Sequence, residues 1–434
     1  MLGLIFTYAL TFGGSVVALF NPFIGLLIYI CFAIISPPSL WPWAVPQWHF
    51  ARVVAIAMLI GWLFKGFGQW NFGRSRSILL AFSAFFFWAI LSAFAASNQE
   101  MSWTYVENLA KIFIPFVVGM TLIDSLPKLK QLAWVILLSL GYVAFEMNLS
   151  YYQGYNRAHL LGFAGMDNNS LAIAMVAGVG LAFFLGVGTT KWWQRMVAWI
   201  AALLMAHTVM LSFSRGGMLA LIVSMVASFL LLPPKKPKHI LALVICVLIG
   251  LRLAGPEVSD RFLSAFAEAQ ERDASAQSRL DMWEDMWDST LRHPVLGVGP
   301  DHWPIVAPQY GWELGKEGHS LWLQTGAELG FPGLLFIAAF YGLCILRLWT
   351  LVRKRNADQD LDPWFPNIGR MVIAGHIGFV VAAQFVSLEG LELPYYMALL
   401  GAGALKMMPQ PDPSSVMARM PRFAAATSVF LGKG

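Results

Sequence analysis

The chain has 434 residues, of which 58% are hydrophobic and only 12% are charged. A soluble domain carries about 25% charged residues, so this composition and a mean hydropathy of +0.63 exclude a soluble globular protein. The net charge of +5 would favour nucleic acid as a partner in a soluble chain, but here the basic residues fall in alternate loops, so we expect no nucleic-acid partner. The sequence predicts an all-α polytopic membrane protein.

Apolar runs long enough to cross a bilayer, roughly 17 to 25 residues each, recur along the whole chain. Two of the early runs are short, so we expect about twelve or thirteen transmembrane helices. We divide the chain into an N-terminal bundle of transmembrane helices (1–254), a large loop (255–319), C-terminal transmembrane helices (320–408) and a cytoplasmic tail (409–434). The predicted spans are 2–20, 22–36, 51–66, 77–95, 105–123, 129–146, 170–188, 194–212, 216–232, 239–254, 320–349, 367–387 and 393–408.

Lysine and arginine residues cluster in every second loop, which predicts the orientation of the helices. If the helices alternate, these loops share one side, and the positive-inside rule makes that side cytoplasmic. The basic residues concerned are Lys65, Arg74, Arg76, Lys128, Lys130, Lys191, Arg195, Lys235, Lys236, Lys238, Arg347, Arg353, Lys354 and Arg355. The external side then receives the loops 37–50, 147–169 and 255–319 and the turn 212–216.

The large loop 255–319 is acidic and partly helical. It holds twelve of the 24 acidic residues of the chain but only five basic ones. From 275 to 291 apolar residues recur at three- and four-residue steps, which predicts an amphipathic helix on the outer membrane face. The face consists of Leu280, Trp283, Trp287 and Leu291, and Arg279 shares it.

His319 is the candidate catalytic residue. It lies where the large loop meets the run 320–349, one residue ahead of Ser320, a plausible N-cap. The partial positive charge of a helix start disfavours imidazolium, so we expect a neutral ring that accepts a proton near pH 7. His302, beside Asp301 in the same loop, is the reserve candidate.

Three external arginines are candidates for binding an anion. Residues 212–217 read Ser-Phe-Ser-Arg-Gly-Gly, and two hydroxyls, Arg215 and two glycines at a helix start form a plausible anion pocket. Arg279 and Arg157 are further candidates on the same side. The structural alternatives are a snorkelling side chain for Arg215 and a solvated charge for Arg279.

These residues resemble the bacterial O-antigen ligase and O-antigen polymerase superfamily. His319-Ser320, nine further residues and then Gly330-Phe331-Pro332-Gly333 fit the ligase pattern His-[Asn/Ser/Gln]-x9-Gly-x-x-Gly. Residues 212–216 resemble the Ser-x-Ser-Arg-Gly turn of the superfamily, and residues 279–283 resemble the start of its large periplasmic loop. The N-terminal part is similar to the branch of O-glycosylation ligases associated with exosortase systems.

The resemblance implies an inverting glycosyltransferase of the bacterial inner membrane that needs neither metal nor ATP and no cofactor. It would transfer a glycan from undecaprenyl diphosphate to lipid A–core at the periplasmic face, in lipopolysaccharide biosynthesis. Membrane lipids would surround it. His319 would be the general base, and Arg215 and Arg279 would hold the donor diphosphate. Arg157 is a further candidate for this binding, because it is predicted on the same external side.

Three other functions remain open from the sequence. An O-antigen polymerase shares the arginine turn but generally not the histidine motif in this form, and a protein O-oligosaccharyltransferase shares the histidine region. A transporter of lipid-linked glycans is the non-enzymatic alternative, although the hydropathy pattern shows no internal repeat.

Overall fold

The computed structural model describes residues 2–232, 274–353, 361–387 and 391–408, and within these ranges the fold is all-α, as predicted. The predicted span 239–254, the loop residues 255–273 and the tail 409–434 lie outside the described residues. The helices are α1 (Leu2–Tyr8), α2 (Gly14–Phe20), α3 (Pro22–Ile35), α4 (Pro37–Leu40), α5 (Phe50–Phe64), α6 (Arg76–Ala95), α7 (Gln99–Leu122), α8 (Leu126–Tyr152), α9 (Arg157–Leu160), α10 (Asn168–Gly188), α11 (Trp192–Leu211), α12 (Arg215–Leu231), α13 (Ala274–Arg292), α14 (Trp303–Val306), α15 (Leu321–Arg353), α16 (Trp364–Ala382) and α17 (Leu393–Lys406).

Nine apolar helices of the described residues are long enough to cross a membrane. The π-helical turn Ala9–Gly13 joins α1 and α2 into the first of them, which covers Leu2–Phe20. Two shorter apolar helices, α5 and α12, coincide with the predicted spans 51–66 and 216–232. Together these helices make the chain a multi-pass membrane protein.

The helices α10 and α16 form the centre of the bundle, where most of their residues are buried. Small residues let the two backbones approach closely. A Cβ atom added at Gly180 would lie 2.8 Å from Cβ of Ala374, and one added at Gly375 would lie 2.6 Å from the carbonyl oxygen of Ala177. Membrane helices commonly associate through such small residues because lipid supplies no hydrophobic driving force.

The helix α15 is broken at Gly330, where φ is +69° and ψ is −173°. Pro332 follows the break, and the carbonyl groups that the break frees have partners elsewhere. The N–H groups of Val298 and Gly299 donate to the carbonyls of Ala327 and Glu328 at 2.9 and 3.0 Å. Trp88 Nε1 donates to the Leu329 carbonyl at 2.9 Å. These partners compensate for the lost helical hydrogen bonds, since leaving buried carbonyl groups unpaired is costly.

The helix α13 confirms the helix that the sequence predicted for 275–291, but the predicted apolar face did not include the residues through which the helix mainly packs. Met282 and Met286 are buried against Trp303, Ala307 and Ala327. The stripe of the prediction is largely exposed, since Leu280 is 42%, Trp287 44% and Leu291 55% accessible. The helix therefore packs mainly through its methionines, while Trp283 and Trp287 of the predicted face contact Phe385 and Phe331.

Several of the predicted basic loops meet at one end of the bundle. Lys406 Nζ donates to the Met120 carbonyl at 2.6 Å, and Lys128 pairs with Asp124 at 2.8 Å. Lys130 lies 4.5 Å from the ring centroid of Trp364, at the start of α16. The candidate site residues lie near the other ends of these helices.

Candidate functional site

His319 ends the large loop and immediately precedes α15. Ser320 caps the helix, since its Oγ accepts a hydrogen bond from the Leu323 N–H at 3.4 Å. His319 itself has a φ of +51°, and its N–H donates to Ser387 Oγ at 2.8 Å. The predicted helix mouth is therefore present, with the histidine backbone in the left-handed region.

The environment of His319 favours a neutral imidazole. Burial is the largest cause and lowers its pKa, and the positive charges of Arg279 and Lys316 lower it further, while Asp167 opposes them. The direction agrees with the expectation from sequence, but burial and neighbouring cations are causes that the helix-start argument did not include. A neutral ring nitrogen accepts a proton at pH 7.

The helix α13 brings Arg279 into electrostatic range of His319. One turn further along this helix, Trp283 Nε1 donates to the carbonyl of Gly318 at 3.2 Å. This hydrogen bond joins the helix directly to the residue before the histidine. The motif that begins at Arg279 thus meets the histidine motif, although 40 positions separate Arg279 from His319 in the chain.

Arg215 is the first residue of α12, in a turn that serine hydroxyls fix. Ser214 Oγ accepts from the Gly217 N–H at 3.1 Å, and Ser212 Oγ accepts from the Ser214 N–H at 3.2 Å. Phe213, between the two serines, has a φ of +55°. Ser214 therefore caps α12 and Ser212 stabilises the turn before it, which sets Arg215 at a helix start, where backbone N–H groups favour anions.

The turn 212–217 packs against the start of α10. Asn168 Nδ2 donates to the Ser212 carbonyl at 2.8 Å, and a Cβ atom at Gly217 would lie 2.7 Å from Cβ of Ala172. Asp167 caps α10, since its Oδ1 accepts from the Ser170 N–H at 2.7 Å. Burial raises the pKa of Asp167, but hydrogen bonds from Ser170 and Asn169 outweigh it and hold the pKa below its usual range.

Asp167 is a neighbour of the candidate base as well as the cap of α10. Its carboxylate lies in electrostatic range of His319 and Glu317. Burial raises the pKa of Glu317, and the charges of Asp301 and Asp167 raise it further, while a hydrogen bond with Ser387 opposes them. The site therefore contains carboxyl groups beside its cations, which the spacing of the motifs does not indicate.

Residues 383–387, the connector after α16, contact all three motifs. The Ala383 carbonyl accepts from the Leu321 N–H at 2.8 Å, at the start of α15. The ring of Phe385 lies 6.2 Å from that of Trp283, and its Cβ would be 2.7 Å from a Cβ atom at Gly216. The sequence prediction of a span over 367–387 was wrong at its end, because apolar Phe385 and Val386 extend the hydropathy signal past the helix end at Ala382.

Arg157 lies at the start of α9 and is half-buried. Its Nη2 donates to the Ser39 carbonyl at 2.5 Å, and its guanidinium lies 6.0 Å from the ring centroid of Phe163. Burial lowers its pKa, and Glu146 and Tyr155 oppose that effect. The hydrogen bond ties α9 to α4, and the ring contact ties it to the loop before α10.

His302 is fully buried. Its Nε2 accepts from the Asn98 N–H at 2.9 Å, so Nδ1 carries the proton that is donated to the Pro300 carbonyl at 2.8 Å. Both ring nitrogens are therefore engaged, and the ring joins the start of α7 to the loop before α14. This geometry favours His319 over His302 as the group that meets a substrate.

Residues 200–338 match the family described as O-antigen ligase. This stretch contains the arginine turn, α13 and the histidine motif, and it supports the O-antigen ligase and polymerase superfamily and a glycosyltransferase activity of that type. An uncharacterized protein of Haemophilus influenzae (strain ATCC 51907 / DSM 11121 / KW20 / Rd) is similar at 23% identity over 255 residues, which cover 54% of this chain and 62% of that protein. This chain thus covers less than two thirds of the length of that relative.

Proposed function

We propose that this protein is an O-antigen ligase of the bacterial inner membrane. It transfers a glycan from undecaprenyl diphosphate to lipid A–core at the periplasmic face, without a metal ion or ATP. The observation that carries the proposal is the convergence of three distant motifs on the connector 383–387. Arg279 lies in electrostatic range of His319, and the turn that carries Arg215 packs against the same connector through Gly216.

His319 acts as the general base in this proposal. Its neutral ring takes the proton from a hydroxyl of the acceptor sugar, and that oxygen bonds to the anomeric carbon of the donor. The bond between the anomeric carbon and the diphosphate oxygen breaks, and undecaprenyl diphosphate leaves. Direct displacement inverts the configuration at the anomeric carbon, and no residue of the protein becomes glycosylated.

Arg215 and Arg279 bind the donor diphosphate and stabilise the charge that develops as it leaves. A guanidinium presents a planar fork of donors that matches phosphate oxygens. The backbone N–H groups at the start of α12 add to this binding, since the Ser-Phe-Ser-Arg-Gly turn aims a helix N-terminus beside Arg215. Arg157 is included in the donor site of this proposal only because the sequence predicts it on the same side as Arg215 and Arg279; its described contacts are with Ser39 and Phe163.

The alternatives differ in the acceptor. An O-antigen polymerase extends a second carrier-linked glycan, and a protein O-oligosaccharyltransferase glycosylates a serine or threonine. Both use the same donor and the same chemistry at the anomeric carbon. A transporter of lipid-linked glycans would bind the donor without forming a product.

Reconstitution of the purified protein distinguishes these functions. Lipid-linked glycan is supplied with lipid A–core, a second carrier-linked glycan or a protein, each in a separate reaction. We expect transfer to lipid A–core, with His319→Ala as the inactive control. Transfer only to carrier-linked glycan or only to protein would replace the ligase assignment, and binding of donor with no product in any reaction would favour the transporter.

A further inference from the structure

We propose that Ser387, Gln324 and Glu328 form a positioning relay that holds His319 in its left-handed conformation. None of the three belongs to the motif residues assigned above to chemistry. The proposal rests on the proposed function only where it treats His319 as the reacting base. Its structural claim, that the relay fixes the ring, is independent of the reaction.

The relay is a continuous chain of hydrogen bonds that starts at the histidine backbone. The His319 N–H donates to Ser387 Oγ at 2.8 Å, and the Ser387 hydroxyl donates to Gln324 Oε1 at 2.6 Å. Gln324 Nε2 then donates to Glu328 Oε1 at 3.0 Å. Because Gln324 uses its oxygen toward Ser387 and its nitrogen toward Glu328, its amide has one orientation that satisfies both partners.

Glu328 anchors the chain in the protein. Its side chain is 3% exposed, and it accepts from the Asp301 N–H at 3.0 Å and from the Trp303 N–H at 3.1 Å. Its backbone carbonyl accepts from the Gly299 N–H at 3.0 Å. A buried carboxyl group with this many donors is fixed in place, because leaving any of them unpaired is costly. The buried side chain of Glu328 thus connects the loop before α14 to the hydrogen-bond chain that ends at His319.

The relay stabilises an unfavourable backbone conformation at His319. A non-glycine residue rarely adopts a φ of +51°, and such strain persists where the surroundings over-determine it. The first anchor is the hydrogen bond from the His319 N–H to Ser387. The second is the hydrogen bond from the Leu321 N–H to the Ala383 carbonyl, 2.8 Å long. Both anchors lie in the connector 383–387. Without the first, the backbone at His319 relaxes and the ring moves away from its place beside Arg279.

A variant series tests the catalytic consequence in the reconstituted transfer reaction. Ser387→Ala removes the hydroxyl, and we expect kcat to fall about tenfold, the loss that corresponds to one buried hydrogen bond. The KM for the donor should stay close to that of the parent, because Arg215 and Arg279 are untouched. Ser387→Thr keeps a hydroxyl and should restore most of the rate. Ser150→Ala is the control, since the Ser150 hydroxyl likewise donates one short hydrogen bond, in its case to the Tyr155 carbonyl at 2.7 Å, away from the relay.

A second measurement needs no turnover. Diethyl pyrocarbonate modifies accessible neutral imidazoles, and mass spectrometry of the peptide that contains His319 gives the rate for that ring. The parent ring is half-buried, and we expect Ser387→Ala to react about tenfold faster because the same hydrogen bond is lost. Ser387→Thr and Ser150→Ala should react at the parental rate.

The two readouts separate this proposal from the proposed function. A parental kcat in Ser387→Ala, or a modification rate equal to that of the parent, would overturn the relay. A fall in kcat that Ser387→Thr does not restore would also overturn it. If the parent transfers glycan to no acceptor, the proposed function fails, and the modification rates alone decide whether Ser387 holds the ring.

Discussion

Phe213 and His319 both have backbone conformations in the left-handed region, with φ of +55° and +51°. Such a conformation costs a non-glycine residue about 1–2 kcal/mol, and each of these residues lies within a motif of the candidate site. Serine hydroxyls stabilise both turns, those of Ser212 and Ser214 around Phe213 and that of Ser387 at His319. Backbone strain is thus retained in the two turns that position Arg215 and His319.

Replacing His319 tests its role as the base. His319→Ala should abolish transfer while the protein stays folded and binds the carrier lipid. His319→Gln keeps some hydrogen bonding but no basicity, so we expect a loss of about 10²–10⁴-fold, the usual contribution of a general base. Transfer rates and donor binding are measured side by side. A His319→Gln protein with half the parental rate would leave the histidine no role as a base.

The pH dependence of transfer follows from the lowered pKa of His319. Burial, Arg279 and Lys316 depress it below the unperturbed value of about 6.5. The unprotonated ring is the active form, so the rate should stay on a plateau through neutral pH and fall only as acidification protonates the ring. Replacing Arg279 by glutamine removes one depressing charge and should move the midpoint of that fall to higher pH. A midpoint that stays in place in Arg279→Gln would argue against His319 as the titrating group.

Arg215 and Arg279 are tested as donor ligands by separate alanine variants. Each should lose about 10²–10³-fold in rate, as expected for a charged contact worth on the order of 2–4 kcal/mol in the transition state. Lysine should rescue only part of the loss, since it lacks the planar fork. Arg292→Ala is the control on α13, because Arg292 is an exposed arginine paired with Asp288 at 2.6 Å. Parental rates in both alanine variants, at normal expression, would remove the diphosphate assignment.

The sequence identified the motif residues but not the residues that contact them and hold them in place. His319, Arg215 and Arg279 are recognisable because residue type and local spacing carry the signal. Ser387 contacts His319 across 68 positions, and no local pattern indicates that partner. Asp167 gave a local signal, that of a helix cap, and its second neighbour His319 depends on how α10 and α15 pack.

At the level of elements, the break in α15 depends on Gly330. Its φ of +69° and ψ of −173° belong to a region that is essentially restricted to glycine. A Cβ atom there would also lie 2.3 Å from the Val295 carbonyl oxygen. The Gly-Phe-Pro-Gly part of the motif therefore has a structural function, which is to end the first segment of α15 and let the loop 294–299 pair with its carbonyls.

Gly330→Ala should destabilise the protein by about 1–3 kcal/mol from backbone strain, and the clash with Val295 adds to that. Thermal unfolding in detergent measures the change. The matched control is Gly342→Ala in the same helix, where an added Cβ would meet nothing within 4 Å. Alanine is the better helix former by about 0.8–1.0 kcal/mol, so the control should be neutral or slightly stabilised. Equal melting temperatures for the two variants would contradict the assigned role of Gly330.

The helices themselves were predictable because apolar length is a strong signal in a membrane protein. The break inside α15 and the methionine face of α13 were not predicted. Hydropathy averages over a window, so it does not register one glycine at an unusual φ. The pattern on α13 contains two apolar faces, and sequence alone does not say which of them meets Trp303.

In the molecule as a whole, basic loops and candidate site lie at opposite ends. Lys128, Lys130 and Lys406 meet around the ends of α7, α8, α16 and α17. The hydrogen bond from Asn367 Nδ2 to the Phe184 carbonyl, 2.7 Å long, brings the end of α10 to that same end. This arrangement agrees with the alternation of loops from which the orientation was predicted, and it makes the orientation testable with one residue from each end.

Cysteine labelling in intact spheroplasts tests the predicted orientation. Gln277, on α13, and Lys191, before α11, are both exposed, and each is replaced by cysteine in a separate protein. The positive-inside rule assigns Lys191 to the cytoplasm, so a membrane-impermeant maleimide should label Gln277→Cys from outside and label Lys191→Cys only after the membrane is permeabilised. The parent, which has three cysteines of its own, gives the background, and Cys31 and Cys344 among them are at least partly buried. Labelling of Lys191→Cys but not Gln277→Cys in intact cells would place His319 and both arginines in the cytoplasm, where a ligase would meet no lipid A–core that has already crossed the membrane.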